Sequence, residues 1–326
     1  MKTKAIRIHE YGGPEQMRWE EVELPPPGPG EVQVRQRAVG LNYIDVYHRT
    51  GIYPTPPLPC TLGMEAAGVV EAVGPGVTDL EAGDRIAYAS PPLGAYAEAR
   101  NIAADRLVRL PDGIDFEHGA AMMLQGMTAE YLLRRTYPVQ AGQTVLFHAA
   151  AGGVGLIFCQ WAKYLGATVI GTVGSEEKAR IARAHGCDHT VLYREEDLVE
   201  RVKAITGGRG VPVVYDGVGK ATWEMSLQSL APRGMMVSFG NASGKVPPVD
   251  PGELSARGSL YLTRPTLMTY TADTQELRDS AAALFERVLA GDIRIEINQR
   301  FPLAEAAEAH RAMEARETTG STILTV

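Results

Sequence analysis

The pattern of hydrophobic and polar positions changes about a third of the way along the chain. Up to about Arg109, short apolar-rich runs such as KAIRIHE and EVQVRQRAVG alternate with clusters of Gly and Pro. This spacing predicts an irregular barrel or sandwich of β-strands. From about Phe116, strand-like runs alternate with helix-like segments of similar length. That alternation predicts βαβ units and a parallel sheet.

The end of the chain mixes the two patterns. After Ser259, a strand-like LYLTRP is followed by the helical segments QELRDSAAALFERVLAG and FPLAEAAEAHRAMEA and by a last strand, STILTV. The fold class predicted from the whole pattern is α/β: a doubly wound parallel sheet of the Rossmann type, preceded by a β-rich region.

Composition narrows the class of protein. A length of 326 residues favours two domains, and 45% hydrophobic with 22% charged residues is typical of a soluble globular protein. The net charge of −7 gives no support for a nucleic-acid or anionic-membrane partner. We find no signal peptide, no apolar run long enough to span a bilayer and only three scattered cysteines, so we predict a cytoplasmic protein without a disulfide framework.

A cluster of small residues lies where the first strand of the βα region meets its helix. The stretch VLFHAAAGGVG, residues 145–155, ends in Gly152, Gly153, Val154 and Gly155. Small residues let a phosphate approach the backbone, and the following helix begins with unpaired N–H groups. A tight turn without a ligand is the alternative, but the surrounding βα units favour a dinucleotide site.

The end of the second strand of this region indicates which dinucleotide binds. An acidic residue there would hold the ribose of NADH, whereas this strand ends in Val173-Gly174-Ser175, with Lys178 just beyond. Glu176 and Glu177 are close, but acids are common in the first turn of a helix. We therefore predict NADPH as the cofactor.

Two other groups of polar residues are interpreted as structural. His185, Cys187 and His189 are residue types that can bind a metal ion. They lie where a helix ends at a glycine, however, and this favours a helix cap over a metal site. His148 lies at a strand end, where a histidine with satisfied hydrogen bonds is the favoured interpretation over a polar contact in the cleft.

Several motifs together resemble one family. GLNYIDVYHRTGIYP, GMEAAGVVEAVGPGV, FHAAAGGVGL, VYDGVG and LYLTRPTL are similar to the zeta-crystallin-type NADPH:quinone oxidoreductases, in the zinc-free branch of the medium-chain dehydrogenases/reductases. The resemblance implies a GroES-like catalytic domain, a Rossmann domain, a return segment, a substrate cleft between the domains and a homodimer. The implied bounds are 1–125, 126–266 and 267–326.

The chain departs from the zinc-dependent branch at its metal positions. Where that branch has a cysteine and a histidine ligand, this sequence has Asn42 in GLN and Met64 in GME. Neither residue is a plausible zinc ligand, and no cysteine lies between Cys60 and Cys159 to form a structural zinc lobe. We therefore predict no bound metal.

The resemblance also implies a set of site residues. It makes Asn42 and Asp45 candidates for hydrogen bonds to substrate or ribose, with loop structure as the alternative. Tyr53 is a candidate for positioning substrate, with a packed loop tyrosine as the alternative. The implied cofactor contacts are Tyr43, Ile44, Tyr47, Tyr131, Gly152, Gly153, Val154, Gly174, Ser175, Lys178, Tyr193, Gly217, Phe239, Gly240, Asn241, Arg264, Pro265, Thr266, Leu267 and Arg316.

Three functions remain open at this stage. The favoured one is NADPH-dependent reduction of quinones. A reductase of α,β-unsaturated carbonyls or enoyl thioesters is a second possibility, because the same hydride can be delivered to another electrophile. A non-enzymatic, crystallin-like NADPH-binding protein is the third.

Overall fold

The computed structural model describes all 326 residues, and the chain divides into two compact units. The first unit comprises residues 1–127, 271–289 and 295–326, and the second comprises residues 128–270 and 290–294. The α/β class predicted from the sequence is confirmed.

The regular elements follow one another in this order: β1 (Lys2–Ile8), β2 (Arg18–Glu23), β3 (Glu31–Leu41), α1 (Tyr43–Arg49), β4 (Cys60–Thr61), β5 (Glu65–Val73), β6 (Arg85–Ala89), β7 (Ala99–Ala103), β8 (Val108–Arg109), α2 (Phe116–Tyr131), β9 (Thr144–Phe147), α3 (Gly153–Tyr164), β10 (Thr168–Val173), α4 (Glu176–Ala184), β11 (His189–Leu192), α5 (Leu198–Thr206), β12 (Val211–Asp216), α6 (Trp223–Ser229), β13 (Leu230–Ser238), α7 (Pro251–Ala256), β14 (Tyr261–Thr263), α8 (Leu267–Tyr270), α9 (Thr274–Leu289), β15 (Ile297–Pro302), α10 (Ala306–Glu314) and β16 (Ser321–Thr325).

The first unit is built on two sheets. A three-stranded sheet has the order β2-β1-β4, and a larger one has the order β15-β16-β3-β5-β6-β8, with β7 paired to β3. Most of these pairs are antiparallel, as expected for short strands joined by Gly- and Pro-rich turns. The core contains the inward-facing side chains of β3 and β5, such as Val34 and Val70, together with Tyr96 from the loop between β6 and β7.

The second unit is a Rossmann fold. Its six strands are parallel and have the order β11-β10-β9-β12-β13-β14, the arrangement of a doubly wound dinucleotide-binding sheet. Helices cover such a sheet on both faces, so its strands are almost continuously apolar. Five of the six residues of β10 are buried, which explains why the sequence reads TVIGTV without polar alternation. No helix is long and apolar enough to cross a membrane.

Candidate active site

The second unit gathers its candidate cofactor residues at one edge of the sheet. Successive loops follow the carboxyl ends of β9, β10, β12, β13 and β14, and the pairing places Phe147 beside Gly171 and Asp216 beside Ser238. Strand order reverses between β9 and β12, so this edge includes the switch point where doubly wound sheets bind ligands. The loop residues predicted from sequence therefore belong to a single edge.

The glycine loop between β9 and α3 is tightly folded. Ala149 has φ of 59°, a left-handed conformation that costs a non-glycine residue on the order of 1–2 kcal/mol. A Cβ added to Gly155 would lie 2.5 Å from the carbonyl oxygen of Ala149 and 2.7 Å from backbone atoms of Ala150. Gly152 is the N-cap of α3, which begins at Gly153. The helix α3 therefore begins in a loop whose glycines carry no side chains, as a phosphate site at a helix N-terminus requires.

A small polar group lies at the end of β10. The hydroxyl of Ser175 caps α4 by accepting a hydrogen bond from the backbone N–H of Lys178. The hydroxyl of Tyr193 lies 3.3 Å from where a Cβ of Gly174 would be, so a larger residue at that position would crowd it. Gly174, Ser175, Lys178 and Tyr193 are thereby brought together without an acid at the strand tip.

The loops after β12 and β13 pack on each other. The ring of Phe239 lies 3.0 Å from where a Cβ of Gly217 would be, and a Cβ on Gly240 would overlap the carbonyl oxygen of Gly217. The carbonyl of Asn241 accepts a hydrogen bond from Gly244 in the same turn. Two glycines are therefore required for the loops to approach this closely.

Tyr131 and the segment after β14 meet in the second unit. The ring of Tyr131 is buried and stacks on Tyr270 with the centroids 4.5 Å apart. Tyr270 ends α8, the short helix that begins at Leu267 directly after Arg264, Pro265 and Thr266. The Tyr131–Tyr270 stack therefore fixes α2 against this segment.

In the first unit, the segment NYIDVY forms the start of a helix rather than a loop. It occupies the N-cap and first turns of α1, which carries Tyr43, Ile44 and Tyr47. The ring of Tyr47 lies 5.5 Å from that of Tyr43 and 5.0 Å from that of Tyr53. The three tyrosines form a continuous aromatic cluster.

Asn42 and Asp45 hold the start of this helix in a buried polar cluster. Asp45 Oδ2 accepts hydrogen bonds from the backbone N–H of Asn42 at 2.9 Å and from the hydroxyl of Tyr96 at 3.0 Å. The side chain of Asn42 donates to Glu65 at 2.5 Å and accepts from Gln125 at 3.2 Å. Asn42 therefore has protein partners for both ends of its amide, whereas Asp45 Oδ1 has none.

Burial changes the ionisation of the two carboxyl groups in this cluster. Desolvation raises the pKa of Asp45 to about 7, against the opposing hydrogen bonds from Asn42 and Tyr96. Desolvation likewise raises the pKa of Glu65 to about 8, and the nearby charge of Asp45 adds to this effect. Near neutral pH, the pair therefore carries protons that exposed carboxyl groups would have lost.

Sequence reasoning missed several members of this cluster. Glu65, Tyr96 and His310 are fully buried and polar, and Arg49 has only 1% of its surface exposed. Nothing local indicates their association, because Arg49 and His310 are 261 residues apart in the chain. The only sign of this cluster in the sequence was Glu65 in GMEAAG, an ionisable residue inside an otherwise apolar strand.

Arg316 belongs to the first unit, just after α10. Its φ is 62° and its backbone N–H donates to the carbonyl of Met313, which closes the helix end. Its charge, together with those of Glu314 and Arg49, acts on the half-buried Tyr43, whose pKa is raised chiefly by desolvation. Arg316 thus lies near the start of α1, and a role beside Lys178 stays a prediction.

The polar residues interpreted as structural have structural partners. His148 is buried and its ring nitrogens lie 3.0 Å from the Thr172 hydroxyl and 2.9 Å from the Ser226 hydroxyl. Ser226 in turn donates to Asp216. Burial lowers the pKa of His148, so its neutral ring links the end of β9 to Thr172 of β10 and Ser226 of α6.

The positions that hold zinc in related enzymes do not fit zinc here. Met64 is buried, and the amide of Asn42 is engaged by Glu65 and Gln125. No group of three or more His, Cys, Asp or Glu side chains is placed to hold a metal ion. The donor set is therefore unsuited to zinc.

Comparison with known families matches both units. A family described as the alcohol dehydrogenase GroES-like domain matches residues 28–137, and one described as zinc-binding dehydrogenase matches residues 153–286. A quinone oxidoreductase from Pseudomonas aeruginosa is 58% identical over 322 residues, which cover 99% of each chain.

Two further relatives are similar over nearly their whole length. The crystal structure of Escherichia coli quinone oxidoreductase complexed with NADPH superimposes with a TM-score of 0.98 at 50% identity, covering 99% of this chain and 100% of that one. A 2-haloacrylate reductase from a Burkholderia species is 49% identical over 98% of each chain.

Proposed function

Because the chain belongs to the quinone oxidoreductase family of the medium-chain dehydrogenases/reductases, we propose that it reduces quinones with NADPH and without a metal ion. It is an oxidoreductase, and the family predicted from the sequence is confirmed. Quinone oxidoreductases at 50–58% identity favour quinone reduction over both alternatives considered from the sequence. NADPH oxidation that depends on an added quinone is the direct test.

The glycine loop is the observation that carries this proposal. Gly155 lies where any side chain would collide with backbone, and α3 begins with a glycine N-cap, so the pyrophosphate of a dinucleotide fits against α3. The strand-end residues Gly217, Phe239, Gly240 and Asn241 and the segment Arg264–Leu267 would line the rest of the nucleotide. When bound, NADPH supplies the hydride; the protein orients it and excludes water.

The end of β10 suits the 2′-phosphate that distinguishes NADPH from NADH. Ser175, Lys178 and Tyr193 provide hydroxyls and a cation, with no acid at the strand tip. A phosphate carries nearly two negative charges at neutral pH, and charge-assisted hydrogen bonds hold it more strongly than neutral ones. We assign Arg316 as the second cation on the basis of the family resemblance.

The first unit would receive the quinone. The half-buried rings of Tyr43 and Tyr53 offer aromatic faces on which a flat quinone ring can stack, and the buried Tyr47 packs against both. The reaction consumes one hydride and one proton: the hydride reduces the quinone, and the proton completes the hydroquinone. Asn42 and Asp45 act mainly by fixing α1, which carries Tyr43 and Tyr47.

The purified protein should contain far less than one zinc ion per chain and should keep its activity in the presence of a chelator. The physical reason is that Asn42 and Met64 replace the ligands that zinc needs. Metal analysis and activity before and after chelation check this. One tightly held zinc per chain, removed together with activity, would contradict it.

We further propose a homodimer formed through the edge of the Rossmann sheet. Strand β14 has a neighbour only on one side, and its Tyr261 and Leu262 are 60% and 36% exposed. An apolar open edge favours pairing with another strand. Light scattering should give twice the 35.2 kDa chain mass, and Tyr261→Lys should reduce it to one chain mass.

The matched control for the dimer is Tyr164→Lys, at a tyrosine that is 52% exposed elsewhere in the second unit. This variant should stay dimeric. A monomeric wild type at micromolar concentration would disprove the dimer.

The three buried, free cysteines support the cytoplasm as the compartment of this protein, because disulfides are rare there.

A further inference from the structure

A chain of buried hydrogen bonds runs through the first unit to Asp45. The guanidinium of Arg49 pairs with both carboxylate oxygens of Glu314 at 2.9 Å and contacts His310 Nδ1 at 3.0 Å. His310 Nε2 lies 3.1 Å from the hydroxyl of Tyr96, which lies 3.0 Å from Asp45 Oδ2. Five side chains from three distant parts of the sequence are thus connected in one line.

The direction of each hydrogen bond in this line is determined by chemistry. Arginine has donors only, so His310 Nδ1 must accept from Arg49. Burial and the charge of Arg49 lower the pKa of His310 to about 3, so the ring is neutral and carries its proton on Nε2. His310 therefore donates to Tyr96, and Tyr96 donates to Asp45. All donors point toward Asp45.

We propose that Tyr96 and His310 are positioning residues for quinone reduction: with Arg49 they hold Asp45 as a carboxylate and thereby fix the first turn of α1. This inference rests on the proposed function, because α1 carries Tyr43 and Tyr47 of the aromatic cluster. Asp45 Oδ2 accepts two hydrogen bonds, and its Oδ1 has no partner. A proton on either oxygen would displace a donor or leave a buried O–H unsatisfied.

The charges around Asp45 come from each element that packs on it. Glu65 on β5 opposes a charge on Asp45 once Glu65 itself loses its proton, which happens near pH 8; Arg49 on α1 favours the carboxylate, His310 on α10 stays neutral, and Glu314 pairs with Arg49. Because burial raises the pKa of Asp45 to about 7, Asp45 changes its ionisation near neutral pH. The hydrogen-bonded side chains therefore act on a carboxyl group, Asp45, whose ionised fraction near pH 7 responds strongly to small changes in its stabilisation.

Tyr96→Phe removes the side-chain hydroxyl that donates to Asp45 and should raise the pKa of Asp45 by about one unit. The ionised fraction at pH 7 then falls from about one half to about one tenth, so kcat/KM for a quinone should fall about fivefold. At pH 9 both proteins hold Asp45 ionised, and the difference should almost vanish. A packing defect alone would give the same loss at every pH.

Two substitutions of His310 distinguish the roles of its two ring nitrogens. The side-chain amide of glutamine reaches the position of His310 Nε2 and can still donate a hydrogen bond to Tyr96. The shorter amide of asparagine reaches only the position of Nδ1 and cannot donate to Tyr96. His310→Gln should therefore have a kcat/KM close to wild type at pH 7. His310→Asn should lose activity at pH 7 but not at pH 9, and by less than Tyr96→Phe, because Tyr96 still donates to Asp45. Equal pH-independent losses in both variants would overturn the proposal.

An infrared measurement tests the same inference without any activity. The carbonyl band of protonated Asp45 is identified by its loss in Asp45→Asn, and its titration midpoint is then compared between wild type and Tyr96→Phe. The midpoint should rise by about one pH unit. An unchanged midpoint overturns the positioning role even if the wild type reduces quinones, whereas a wild type that reduces no quinone contradicts the proposed function instead.

Discussion

Lys178→Ala should raise the KM for NADPH about tenfold or more and leave the KM for NADH nearly unchanged. Charge-assisted hydrogen bonds contribute roughly 1.5–3 kcal/mol each, and solvent screening at this half-buried site reduces that figure. With Arg316 as a second cation, the two contacts together would favour NADPH on the order of a hundredfold. Steady-state kinetics with both cofactors measures the effect.

The controls for this prediction use the same two regions. Arg180→Ala removes a positive charge from α4 two residues after Lys178, on a different face of the helix, and should leave both KM values unchanged. Arg316→Lys keeps the charge, whereas Arg316→Ala should weaken NADPH selectively. If the alanine variants at 178 and 316 weakened NADPH and NADH alike, the assignment of the 2′-phosphate site would be wrong.

Gly155→Ala should nearly abolish NADPH binding and lower the free energy of unfolding by about 1–3 kcal/mol. The new methyl group would lie 2.5 Å from the carbonyl oxygen of Ala149, and backbone cannot yield as a flexible side chain can. Relieving this overlap would displace the loop, in which Ala149 already has a left-handed conformation. Calorimetric titration with NADPH and thermal unfolding measure the two effects.

Gly152→Ala is the matched control for the loop. Its added Cβ has only one close neighbour, the Ala149 oxygen at 3.3 Å, so the fold should keep nearly wild-type stability. A Gly155→Ala protein with normal stability and normal affinity for NADPH would refute the idea that the bare backbone of this loop is required.

The Rossmann unit could be predicted from the sequence because its signals are local. The order of strands and helices, the glycine loop and the missing acid after Val173 can each be recognised within a short stretch. Parallel strands place their carboxyl ends at one edge, so residues as distant as Gly174 and Phe239 could be assigned to one site without knowing a single contact.

The polar cluster of the first unit could not be predicted in the same way. Asp45 and Asn42 were recognised as candidates, but their partners Glu65 and Tyr96 come from β5 and a loop, and His310, which contacts Tyr96, comes from α10. Hydrogen bonds between such distant residues leave no periodic pattern. The helix α1 was also missed, because a seven-residue helix with Asn42 as its N-cap depends on the buried hydrogen bonds at its start as much as on local propensity.

The most direct measurement is the rate of NADPH oxidation by the purified protein with a quinone as acceptor, in the presence of a chelator. Parallel reactions use an enal, an enoyl thioester and 2-haloacrylate, the last because a relative at 49% identity is named for it. The quinone should give the highest kcat/KM, and the chelator should not change it. No oxidation with any quinone, or a clear preference for one of the activated alkenes, would contradict it.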